Sequence, residues 1–167
     1  MALFSSDEIH SGAASFVNSE LFARTFREGM KLVEESANYL DGQGRDASQN
    51  LGRESALAYA GSSMRLTTEL MQIASWLLVL RAVREGEMEL TEAADKKYRI
   101  QSNSDEKRPP YDEGLPTDLI GLIENAHQLF ERIARLDRDL FTENGTVRES
   151  DAMGQQRALR NAFAASR

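Results

Sequence analysis

The feature that most restricts the fold of this chain is a long segment, residues 46–86, in which no strong helix breaker occurs before Gly86. A helix over this segment would be about 58 Å long at ~1.5 Å rise per residue. Its apolar residues recur at helical spacing in two stripes. The first stripe repeats every seven residues and consists of Leu57, Met64, Met71 and Leu78. The second stripe is denser and consists of Leu66, Leu70, Ile73, Leu77 and Leu80. The pattern predicts one long central helix.

This predicted helix is apolar on most sides from Leu70 onward. Such a pattern is typical of the central helix of a bundle, or of a helix that also meets a partner subunit. Trp76 lies inside the apolar segment and is predicted to belong to the core. Two neighbouring helices cannot cover so many apolar faces, and a large exposed patch on a monomer is unusual. We therefore expect a homodimer whose interface includes the first or the second helix.

Two further helical patterns flank the central one. The first begins near Asn18 or Ser19, which can cap a helix, and stops at the glycines of residues 41–44. The third opens at Thr117 and keeps a regular apolar seam, with its charged residues, Asp137 among them, predicted to lie off that seam. No alternation typical of strands occurs. The sequence thus predicts an all-α, antiparallel three-helix bundle in up-down-up order, with a long central helix and flexible termini.

The composition along the chain suggests three regions. Residues 1–15 are small, polar and without a helical pattern, which predicts a mobile N-terminal arm. Residues 16–145 form the bundle, interrupted by a loop at 101–116. Residues 146–167 carry four Arg against two acidic residues and are predicted to be a flexible tail.

Composition also excludes several classes of function. The formal net charge of −7 argues against a nucleic-acid binder, because phosphate neutralisation needs a basic face. The absence of Cys excludes thiol nucleophiles, zinc–thiolate sites and disulfides. The N-terminus lacks a secretory pattern, and the most apolar stretch, 70–80, is shorter than the roughly 20 residues of a membrane span. We expect a cytoplasmic protein that binds neither nucleic acid nor membrane.

Imidazole chemistry depends on only two residues, His10 and His127. Glu124 and His127 have the spacing that carboxylate-bridged di-metal bundles use, but a second such motif cannot be built. His127 on a bundle helix also raises histidine phosphotransfer, which is the alternative function that the residues leave open. No Ser has a plausible His–Asp pair, so we predict no catalytic, cofactor-binding or metal-binding residue, and no enzyme.

Four residues are candidates for partner binding. Arg65 and Arg81 could anchor an acidic partner, or could form ordinary helical pairs with the glutamates four residues after each. Tyr39 and Arg45 flank the turn between the first and second helices, where glycines give side chains a rigid base. Packing of Tyr39 and simple solvation of Arg45 are the competing interpretation.

The amino-acid sequence of residues 28–45 resembles the N-terminal motif of the RcdA family, the alphaproteobacterial regulators of CtrA degradation. The resemblance strengthens through residues 63–78 and 81–88, and it covers roughly residues 16–145. Glu69 departs from the basic residue expected at that position.

The resemblance implies a compact three-helix bundle that associates as a homodimer. It further implies an adaptor of the ClpXP protease, which joins protease primed by the response-regulator-like factor CpdR. The cargo that it implies includes the transcription factor CtrA, recruited directly or through the cyclic-di-GMP effector PopA.

Overall fold

The structure, a computed structural model, describes residues 6–101 and 107–141. Its helices are α1 Ser6–Val17, α2 Glu20–Asp41, α3 Gln43–Gln49, α4 Arg53–Arg84, α5 Leu90–Ala93 and α6 Thr117–Phe141, with a 3₁₀ turn at Lys96–Tyr98. No strand occurs in these two ranges. The prediction of an all-α protein with one long helix is confirmed, since α4 has 32 residues.

Three helices, α2, α4 and α6, enclose the core. The dense stripe of α4 lies at its centre, where Ile73, Leu77 and Leu80 are fully buried. Trp76 is buried with them, as predicted. Gly29 of α2 permits the close approach of α2 and α4, because a Cβ there would clash with Leu77 Cδ1.

The directions of the helices differ from the predicted up-down-up order. Near the start of α2, Phe26 meets Arg81 at the end of α4, so these two helices run antiparallel. Along α4 and α6 the numbering rises together: Glu69 meets His127, and Trp76 meets Asp137. α4 and α6 are therefore parallel neighbours.

The parallel arrangement follows from the long connection between these helices. A short loop makes consecutive helices antiparallel. Here the described parts of the connection, 85–101 and 107–116, bring the chain back along the bundle, past an α4 that spans about 48 Å. The sequence predicts a short helix near Thr91 and a loop at 101–116, and their composition does not indicate in which direction the chain runs.

The long central helix predicted from residue 46 begins later in the structure. Residues 43–49 form the separate helix α3, and α4 starts at Arg53, after Gly52 in an extended conformation. Gly44 in α3 packs tightly, since a Cβ there would lie 2.6 Å from both Tyr39 Cε1 and Tyr59 Oη. The chain therefore bends at the glycines instead of continuing one helix.

The N-terminal region also differs from its interpretation as a segment without helical pattern. Ser6–Val17 forms α1, and Val17 is 2% exposed. Phe16 packs against Phe22 and Trp76, with ring centroids 5.7 and 6.3 Å apart. Ser19 caps α2 as predicted, because its Oγ accepts a hydrogen bond from the backbone N–H of Phe22 at 3.2 Å. The predicted tail, 146–167, lies outside the described residues.

A candidate protein-interaction surface

The seven-residue stripe of α4 lies on the surface of the bundle. The exposed fractions of Leu57, Met64, Met71 and Leu78 are 76%, 72%, 68% and 51%. We call these four residues the outer stripe. Contiguous apolar surface of this kind marks interaction sites in folded proteins. The unbranched methionines at its centre adapt to the shape of a partner.

Small residues and two threonines with satisfied hydroxyls lie among these side chains. Ala60 and Gly61 are exposed and leave room for a second helix to approach. The hydroxyls of Thr67 and Thr68 each donate to the backbone carbonyl four residues earlier in α4, at 2.9 Å. None of the four side chains of the outer stripe is charged, so a partner helix could cover them without desolvating an ion there.

Two of the predicted partner-binding residues, Arg65 and Arg81, flank this stripe on opposite sides. Arg65 is exposed and lies beside α6, with no partner among the described residues. Arg81 faces α2: its guanidinium lies 5.2 Å from the ring centroid of Phe26, and its Nε donates to Glu85 at 2.9 Å. The hydrogen bond to Glu85 raises the pKa of Arg81 above its ordinary value. Arg81 thus forms the ordinary helical pair, whereas Arg65 does not.

The other two predicted residues lie at the far end of the bundle. Tyr39 is half-buried against Gly44, and burial, followed by the nearby Tyr59 and Asp118, raises the pKa of its phenol above the ordinary value. Arg45 lies exposed in α3. The structure does not bring these two residues together with Arg65 and Arg81.

A polar cluster connects α4, α6 and the segment 107–111. Oε1 of Glu69 accepts a hydrogen bond from Arg108 and lies 3.2 Å from Nδ1 of His127. The side chain of Glu69 is only 19% exposed. The predicted helical pair of Arg65 and Glu69 is therefore replaced by contacts across the fold.

His127 belongs to the same polar cluster. Its ring is held against Glu69, and Glu124, three residues earlier, is exposed. Within residues 6–101 and 107–141, no group of three or more His, Asp or Glu residues has the arrangement of a metal site. His10 lies in α1.

Residues 107–111 were not singled out in the sequence. They read as loop, because proline and charge dominate their composition. The signal that could have identified them is the order Lys-Arg-Pro-Pro-Tyr, in which two cations and an aromatic ring flank two residues of fixed φ.

Comparison with known proteins identifies the family. Residues 13–163 match the family described as "Protein of unknown function (DUF1465)". The crystal structure of RcdA from Caulobacter crescentus CB15 is 50% identical to this chain, with a TM-score of 0.64. The similarity covers 76% of this chain and 96% of that RcdA chain. The chain belongs to the RcdA family. No protein with a curated description matches it significantly.

The family match is longer than the resemblance found in the sequence. The resemblance covers residues 16–145, whereas the matched region of this RcdA-family chain starts at residue 13 and ends at residue 163. The end of α1 and most of the basic C-terminal segment therefore belong to the family region.

In this RcdA-family bundle the returning connection is fixed by a buried polar cluster. Asp137 of α6 accepts a hydrogen bond from Trp76 Nε1 at 2.7 Å, and Nη1 of Arg99 lies 2.9 Å from the same oxygen. Arg99 also donates to the carbonyl of Ala93 at 2.6 Å and stacks 3.6 Å from the ring centroid of Phe141. The prediction that Asp137 lies off the buried face is wrong, because it is 4% exposed.

Burial shifts the pKa values of both Asp137 and Arg99. It raises the pKa of the Asp137 carboxyl above its ordinary value, although Arg99 and the Trp76 hydrogen bond oppose the shift. It also lowers the pKa of Arg99, and Asp137 opposes that change. The cluster therefore connects the residues after α4 to α4 and α6 within the fold.

α4 meets the length and hydropathy that a membrane-crossing helix needs, as core helices of soluble proteins also do. Because its dense stripe packs against α2 and α6, we interpret α4 as the core helix of the bundle.

Proposed function

We propose that this protein is a non-catalytic adaptor that delivers cargo, including CtrA, to the ClpXP protease in the cytoplasm. The observation that carries the proposal is the 50% identity to RcdA over 96% of that chain. An RcdA-like role in CtrA degradation requires surfaces that bind proteins, and the outer stripe of α4 supplies one. CpdR, as the primer of the protease, and PopA, as an effector that brings cargo, are the further partners.

The adaptor works as a homodimer in this proposal, with the outer stripes of two copies packed together. The support is the stripe itself, which is exposed, uncharged and flanked by small residues. Light scattering at tens of micromolar should give twice the chain mass of 18.7 kDa. A monomer mass over that range contradicts the dimer and leaves the adaptor role to be tested separately.

A degradation assay tests delivery directly. Purified ClpXP, CpdR and CtrA are incubated with and without this protein, and PopA with cyclic-di-GMP is added in a parallel series. The adaptor should accelerate the loss of CtrA only when CpdR is present. Unchanged CtrA half-life in every combination contradicts the proposal.

The same assay separates the adaptor from a phosphotransfer module. His127→Gln keeps a hydrogen-bonding group beside Glu69 but cannot carry a phosphoryl group. An adaptor should retain delivery with this variant, whereas a module that acts through a phosphorylated His127 should lose its function completely.

A further inference from the structure

A groove runs between α4, α6 and the segment 107–111, beside the outer stripe. Its volume is about 590 Å³. The base of the groove is apolar: Leu66, Ile123 and Phe130 line it and are themselves 1%, 6% and 6% exposed. Tyr111 lies at the rim and is 38% exposed. This is the size and lining of a site that holds one or two large apolar side chains.

The segment 107–111 is fixed in place by the Glu69 cluster. Arg108 and His127 approach the same carboxylate oxygen from the segment and from α6. Glu69 thus connects the three walls, and the groove is formed before any ligand arrives. A preformed site spares a ligand the cost of ordering its walls.

The acidic and the basic side chains that line the groove differ in whether they have partners among the described residues. The acidic groups that line it, Glu69 and Glu131, both have partners. The cations Arg65 and Lys107 also line it, and neither has a partner among the residues that the structure describes. Among the described residues that line the groove, the charges without a partner are therefore positive, on a chain whose net charge is −7.

We propose that this groove binds a peptide segment of a partner protein in which large apolar side chains are flanked by carboxylates. The apolar side chains would occupy the base formed by Leu66, Ile123 and Phe130. The carboxylates would pair with Arg65 and Lys107. A nucleic acid would meet the acidic remainder of the chain, so the charge pattern favours a short acidic segment over a long polyanion. This inference concerns a second surface and does not depend on delivery of CtrA.

A designed peptide tests the groove. The probe is a fluorescein-labelled peptide with a Leu-Phe pair flanked on both sides by aspartates, measured by fluorescence anisotropy on the full chain. Two matched peptides replace the aspartates by lysines or the Leu-Phe pair by serines. Only the parent peptide should bind well, because each matched peptide removes one of the two required features.

Charge-reversal variants assign the binding to the groove. Arg65→Glu and Lys107→Glu should each weaken binding of the parent peptide by about tenfold, a loss of ~1.4 kcal/mol. Arg24→Glu makes the same charge change on the exposed surface of α2 and is the control, with binding unchanged. Circular dichroism of each variant shows whether the helices are retained.

Three outcomes overturn the proposal. Equal binding of the lysine peptide, or equal loss in the Arg24 variant, would show nonspecific attraction. Displacement by inorganic phosphate together with equal binding of the serine peptide would show a simple anion site. Amide chemical-shift changes confined to the outer stripe would place the peptide there instead of at Ile123 and Phe130.

Discussion

The two apolar stripes of α4 have similar composition and opposite surroundings. The dense stripe of α4, which we call the inner stripe, includes Leu77, and this side chain is fully buried. Its chain neighbour Leu78 on the outer stripe is 51% exposed. Hydrophobic periodicity reports that a face avoids water, and it does not report what covers that face. The difference teaches that one stripe stabilises the monomer and that the other is available to a partner.

The largest expected effect comes from this adjacent pair. Leu77→Ala should lower the free energy of unfolding by about 4 kcal/mol, in the upper half of the ~2–5 range for buried leucines, because the site is fully buried. Leu78→Ala should change it by less than about 0.5 kcal/mol, as exposed substitutions do. Urea unfolding at a concentration low enough to separate copies measures both. Equal losses in the two variants would erase the distinction between the stripes.

The next largest effect concerns the buried polar cluster of Asp137, Trp76 and Arg99. Asp137→Ala removes the acceptor for Trp76 and the partner of Arg99, and leaving these buried donors unpaired should cost about 3 kcal/mol. Asp137→Asn keeps an acceptor of the same shape, so its loss should be much smaller. If the two variants unfold at the same urea concentration, the hydrogen bonds of the cluster do not stabilise the fold.

A smaller effect appears in the pH dependence of stability. Because burial raises the pKa of Asp137, the folded state holds its proton more tightly than the unfolded chain, in which the pKa of an Asp carboxyl is about 3.9. The part of the stability that is linked to the proton of Asp137 is thus complete below that value and is lost as pH rises through the higher folded pKa. Wild-type unfolding measured from pH 4 to pH 7 should show this decline, and Asp137→Asn should lack it. An identical pH profile in both proteins contradicts the shift.

These polar contacts mark the limit of what the sequence could predict. Local spacing was sufficient for α2, for most of α4, for α6 and for the burial of Trp76. Asp137 follows Ile133 by one helical turn and so continues the buried face of α6, but an isolated carboxylate gives no sign of the Arg99 that pairs with it. That pairing depends on residues 85–116 returning along the bundle, which is a long-range property.

The candidate interaction surface also has one part that the sequence predicted and one part that it did not. The seven-residue repeat of the outer stripe was visible in the sequence, and the expectation of a partner came from apolar residues on more faces of this helix than two neighbouring helices can cover. The groove was not visible, because its walls meet only when α4 and α6 run parallel and Arg108 reaches Glu69. Of the four predicted partner-binding residues, Arg65 lies on the groove, since α4 turns it toward α6.

The smallest expected change in monomer stability comes from the outer stripe, and it is the sharpest test of the comparison. Met64→Glu places a charge at a side chain that is 72% exposed, so the isolated monomer should lose less than about 0.5 kcal/mol. In a dimer the same carboxylate would be buried between two uncharged faces without a partner, which is strongly unfavourable. Light scattering should therefore change from the dimer mass to the monomer mass while the urea midpoint of the dilute protein stays constant. Asn125→Glu adds the same charge at an exposed position of α6 and should leave the mass unchanged. A dimer that survives Met64→Glu would show that the outer stripe is not the dimer interface, and a dilute monomer that unfolds early would show that it packs more within the fold than its exposure indicates.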